Sequence, residues 1–97
     1  MVDINWTEEA SFWLKDIHDH IALDNQKIAK KVINEIFTKT KILASFPRIG
    51  YLYKDDANKE IRVLLYGHYR IAYLIKDTET VDILGVFHGA LEIERYL

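Results

Sequence analysis

The sequence predicts an α+β fold: an N-terminal strand, a two-helix hairpin, and a mainly antiparallel sheet ending in a three-strand meander. Three observations carry that expectation. Residues 60–88 form three strand-like runs separated by the short turns Tyr66-Gly-His and Lys76-Asp-Thr-Glu-Thr. Two blocks before them repeat apolar side chains at helical spacing. Val2-Asp-Ile-Asn-Trp6 alternates apolar and polar residues with period two, which is the pattern of a half-buried strand.

The first helix is expected to start at Thr7, a good N-cap, with Glu8 and Glu9 in the first turn where the helix dipole favours acids. Ala10, Trp13, Leu14, Ile17 and Ile21 then form one apolar stripe, and Trp6 and Trp13 both read as core. Asp24-Asn25 ends this helix and caps the next. In the second helix Ile28, Val32, Ile36 and Leu43 mark the buried stripe, widened by Ala29, Ile33 and Phe37, with lysines opposite. It should stop near Ser45, because Phe46 precedes Pro47 and that position disfavours helix. Pro47-Arg-Ile-Gly50 reads as a turn, and Tyr51 to Lys59 as a charged loop containing no placed acid–base pair.

In the meander, alternation puts Ile61, Val63 and Leu65 on one face of the first strand and Arg62, Leu64 and Tyr66 on the other. The all-apolar sets, completed by Tyr69, Ile71, Tyr73, Ile75, Val81, Ile83, Gly85 and Phe87, are expected under the helices. The opposite face would then carry Arg62, Arg70, Asp82 and His88 among Leu64, Tyr66, Leu74, Leu84 and Val86. Such a mixed face suits a partner-binding surface. Its plain structural reading is an ion pair between Asp82 and Arg62 or Arg70.

Bulk properties narrow the function. The 97 residues make one domain, 1–97, and contain no cysteine, which excludes disulfides and thiolate metal sites. The N-terminus has no basic-then-apolar signal, and no run approaches the roughly 18 apolar residues of a membrane span. A cytoplasmic protein without membrane or small-molecule partner is expected. Net charge is −2, but residues 26–54 hold seven bases against one acid, whereas residues 1–25 hold six acids against one base. That is a basic stripe, not the overall excess that phosphate binding usually requires. His18 and His20 are two apart on a helix and point to different sides, so no metal site is expected there. His68 reads as a turn residue. No phosphate loop or nucleophile elbow occurs, and no cofactor is expected.

Four stretches carry a resemblance in this order: Trp6-Thr7-x-x-Ala10, Phe46-Pro-Arg-Ile-Gly50, Tyr69-Arg-Ile-Ala-Tyr73 and Val86-Phe-His-Gly-Ala90. Together they resemble the RelE/ParE family of type II toxin–antitoxin toxins, over almost the whole chain and closest to the ParE-like, plasmid-stabilisation type. The resemblance implies a cognate antitoxin. It also implies one of two targets: DNA gyrase, blocked by binding in ParE-like members, or messenger RNA on the ribosome, cut by RelE-like members. For a nuclease, Arg70 matches the strand arginine, Arg62 a neighbouring basic residue and His88 a basic or histidine position. Tyr96 lies one place from the expected tyrosine, whose place Arg95 takes. The second basic position on the neighbouring strand is Leu64, and the arginine expected after His88 is Gly89. That eroded set favours protein binding, and it leaves open a toxin fold that only binds its antitoxin. The expected partner surface comprises Arg62, Leu64, Arg70, Leu74, Leu84, His88 and Arg95, with the two-helix groove as a second antitoxin site.

Overall fold

The computed structural model describes residues 1–57, 59–89 and 93–97. Strand β1 (Asp3–Trp6) leads into helix α1 (Glu8–Ala22), then α2 (Gln26–Thr40) and a 3₁₀ turn, Lys41–Ala44. Strands β2 (Tyr51–Asp56), β3 (Lys59–Tyr66), β4 (Tyr69–Ile75) and β5 (Thr80–His88) follow, and a second 3₁₀ turn spans Ile93–Arg95. The five strands order as β1-β5-β4-β3-β2, antiparallel except that β1 runs parallel to β5.

Local chemistry explains the helix ends. The Thr7 hydroxyl accepts from the Ala10 N–H at 3.1 Å, capping α1, and donates to the Ile83 carbonyl at 2.6 Å. One side chain thus starts the helix and fastens it to β5. Asn25 caps α2 by accepting from the Ile28 N–H at 3.1 Å. Ala10, Ala29, Ile36 and Leu43 are fully buried, as the stripes predict, but Ile28 and Phe37 lie about half exposed on the outer side of α2.

The stretch expected to be a loop, Tyr51 to Lys59, is largely strand β2, paired antiparallel with β3. Its charged side chains are compatible with an edge strand, which needs only one pairing partner and is kept from further pairing by charge. A register shift between Leu52 and Lys54 adds the irregularity common at such edges.

The faces of the sheet also differ from the alternation argument. Arg62, Leu64 and Tyr66 pair across β4 with Tyr73, Ile71 and Tyr69, so they lie on the helix side. Leu64 is buried in the main core with Ile71, Tyr73, Val81, Ile83 and Val86. A second shift, opposite Ala72 and Tyr73, makes Leu84 an extra residue in β5 and exchanges the faces beyond it. Val86 and His88 therefore join the helix side and Phe87 leaves it. Val63, Ala72, Phe87 and Ile93 form a second buried cluster on the far face, flanked by Trp13, Tyr53, Leu84 and Leu97.

Candidate functional site

The residues expected to share one charged face are divided between two ends and two sides of the sheet. Arg62 is half-buried on the helix side and points into the Phe46–Gly50 corner. Its Nε donates to Glu60 Oε2 at 2.7 Å, and its Nη1 donates to the carbonyls of Gly50 at 2.8 Å and Arg48 at 3.3 Å. Arg48 closes on the same carboxylate, Nε to Oε2 at 3.0 Å and Nη2 to Oε1 at 3.0 Å. Tyr73 completes the knot: its buried hydroxyl accepts from the Gly50 N–H at 3.0 Å. Hydrogen bonds from Arg48 and then Arg62 hold the Glu60 carboxyl below its usual range, and the Glu60 bond pushes Arg48 up. Burial raises the Tyr73 phenol, partly offset by the Gly50 N–H.

This clamp requires glycine at position 50. A Cβ there would lie 2.7 Å from the Val63 carbonyl oxygen and 2.8 Å from the Tyr73 hydroxyl. Glu60, which opens the first strand-like run, is its centre. A signal existed: Glu60 and Arg62 are two apart, and residues two apart on a strand share a face. Arg48 gave no such signal, because it arrives from a separate turn.

Arg70 and His88 lie at the opposite end, beside the tight turn that joins β3 and β4. Tyr69 pairs with His88 and Arg70 with Phe87, so Arg70 and His88 start from opposite faces. Both nonetheless border one shallow cavity of about 450 Å³ with Gly67, His68 and Tyr69. The His68 and His88 rings are 6.4 Å apart between centroids, and the Tyr69 ring meets His88 edge-on at 5.7 Å. His68, assigned from sequence to a turn, does sit in that turn, and its ring stands beside His88.

The remaining candidates scatter. Leu64 is buried, so it cannot belong to an exposed partner surface. Leu74 lies on the far face opposite Ile61 and Asp82, and Leu84 packs against the second cluster. Asp82 pairs with neither arginine: its Oδ1 accepts from Asn5 Nδ2 at 3.1 Å. Tyr96 packs edge-on against Trp13 at 4.9 Å and stacks on Phe87 at 5.4 Å, while Arg95 is exposed in the adjoining turn. Among the described residues no group of three or more His, Cys, Asp or Glu is placed to hold a metal. Among the described residues no helix is long and apolar enough to cross a membrane.

Two apolar clefts open on the helix side. One, about 370 Å³, lies along the helix hairpin between Trp6, Leu14, Ile33 and Phe37, where Trp6 and Phe37 stack at 5.7 Å. The other, about 360 Å³, lies between α1 and the β4–β5 end of the sheet.

Comparison with known proteins agrees with this architecture. The family described as "ParE toxin of type II toxin-antitoxin system, parDE" matches residues 4–92. The chain is similar to a structure from the chromosomal ParDE system of P. aeruginosa, with a TM-score of 0.74 and 21% identity over 91% of this chain and 96% of that one. It is also similar to a chain of the RelBE2 toxin–antitoxin complex of Mycobacterium tuberculosis, with a TM-score of 0.56 and 26% identity over 90% and 96% of the two chains. No curated protein matches the sequence. Two helices packed on a mixed five-stranded sheet are the fold that this chain shares with those structures. The family match places the chain among toxins of type II toxin–antitoxin systems, and it belongs to the ParE toxin family.

Proposed function

We propose that this toxin acts by binding a protein target, DNA gyrase, and that a cognate antitoxin in the cytoplasm neutralises it. The observation that carries this reading is the engagement of Arg62. A basic residue that acts on the RNA must present its guanidinium to substrate, and Arg62 gives Nε and Nη1 to Glu60 and backbone carbonyls inside the fold. The Tyr96 ring packs against Trp13 and Phe87. These engagements support protein binding over RNA cleavage, which needs a phosphate clamp and a tyrosine converging on one substrate.

The antitoxin segment is proposed to cover the cleft along the helix hairpin, where Phe37 and Trp6 offer apolar anchors and Lys15 and Lys41 flank them. A disordered tail that folds as it binds suits such a groove.

The second reading, RNA cleavage, draws on the closeness of His68, His88 and Arg70 at the turn end of the sheet. One experiment separates the two: purified toxin is incubated with gyrase in a supercoiling assay and, separately, with translating ribosomes. Supercoiling should be inhibited and the messenger RNA left intact. Cleaved messenger RNA with gyrase unaffected overturns the proposal. Unchanged growth of a bacterial host making soluble toxin alone would replace it with a purely antitoxin-binding role.

A further inference from the structure

We propose that the cleft between α1 and the β4–β5 end of the sheet is a receptor for an arginine side chain of a protein partner. The inference rests on the reading above that this toxin works by binding protein, and it names the chemistry of one contact. The helix supplies one wall: Trp13, Asp16, Ile17 and His20 lie at spacings of three and four, which puts them on one side of α1. The sheet supplies the other with Tyr69 and His88, whose rings meet edge-to-face at 82°. The cleft holds about 360 Å³, room for a long side chain.

The wall reaches this position for a structural reason. Strand β1 pairs with residues 80–83 of β5, so among the described residues no strand pairs with the second half of β5 on that side. There Trp13 packs edge-on against Phe87 at 4.9 Å, holding the helix wall against the strand.

The charge of the lining selects the occupant. Asp16 is its single carboxylate, and no lysine or arginine lines it among the described residues. Asp16 makes no ion pair there either; the neighbouring Asp19 takes Lys15 at 3.1 Å. The surrounding segment, residues 1–25, is strongly acidic, which draws cations toward the cleft. Aromatic rings around a lone carboxylate fit a guanidinium better than an ammonium. A guanidinium stacks flat on a ring and presents paired N–H groups to a carboxylate, whereas an ammonium is a strongly hydrated point charge. The aliphatic stem would lie along Ile17 and Ile21.

The test uses the purified toxin and small probes, so it does not depend on knowing the partner. N-acetyl-L-arginine amide, N-acetyl-L-lysine amide and N-acetyl-L-glutamate amide are titrated separately while NMR follows the Trp13 indole and the His20 and His88 ring signals. The arginine probe should shift these signals saturably and more tightly than the lysine probe, with no matching shift from the glutamate probe. Asp16→Asn, confirmed folded by its unchanged remaining spectrum, should weaken arginine binding about fivefold. The assignment fails if the arginine probe leaves these signals in place, if lysine or glutamate binds as well, or if Asp16→Asn binds arginine undiminished. Gyrase inhibition is measured in a separate assay, so failure of this contact is distinguishable from failure of the protein-binding reading.

Discussion

Glu60 takes hydrogen bonds from two guanidinium groups, and its protonation is therefore linked to folding. Its carboxyl titrates lower in the folded chain than in the unfolded one, so the unfolded state binds more protons in the acid range. The stabilisation is complete above the usual glutamate range, roughly pH 4 to 5, and is lost as pH falls through the lower folded value. Glu60→Gln should cost about 1–2 kcal/mol at pH 7, a range that allows for the exposure of Arg48. Urea unfolding at pH 7 and pH 3 checks this, with the gap between the two proteins closing at the lower pH. Gly50→Ala should cost more, about 2–3 kcal/mol, because backbone oxygen and a buried phenol crowd the new methyl. Denaturant midpoints would measure it, with Tyr73→Phe as a milder companion at about 1 kcal/mol. At this scale half of the clamp was legible: the spacing of Glu60 and Arg62 marks a shared face, but an ion pair with Arg48 depends on where a turn lands in space.

At the scale of the element, β5 explains why the charged face was misassigned. Strict alternation assumes an unbroken pleat, and one extra residue at Leu84 reverses every assignment after it. In β3 both alternating sets contain bulky apolar residues, so apolarity alone does not choose the buried face. The choice goes to the set with Arg62 because Glu60 and the Gly50 carbonyl satisfy its guanidinium. The helices were easier to read, since Thr7 and Asn25 cap where their types predict. Gly85 offers a test of the irregular strand. A Cβ there would lie 2.5 Å from Phe87 Cζ, so Gly85→Ala must displace that ring from Tyr96 and Trp13. Loss of near-UV circular dichroism and of about 1–3 kcal/mol is expected, with Phe87→Leu in the same background restoring part of the stability.

For the whole molecule, the sheet is covered on both sides by unequal means. Two helices cover one face, and residues 93–97 with Trp13 and Tyr53 cover the buried cluster on the other. The helical cover is written in periodic apolar stripes. The short C-terminal cover has no period to read, which is why the packing of the Tyr96 ring on Trp13 and Phe87 was not legible in the sequence. Ile93→Ala should cost about 2–4 kcal/mol and raise binding of a hydrophobic dye. Leu23→Ala, at an 82% exposed position, should shift stability by less than about 0.5 kcal/mol in the same denaturation assay.

The parallel pairing of β1 with β5 also has a consequence in time. Asp3 lies opposite Thr80 and Trp6 opposite Ile83, and the Thr7 hydroxyl that starts α1 donates to Ile83. The first strand therefore has no partner until the last strand has been synthesised and has left the ribosome. Closing so long a loop delays the reward of the contact, and pairings of this separation slow folding. Trp6 belongs to that first strand and lines the cleft along the helix hairpin, so this cleft is completed only at the end of synthesis.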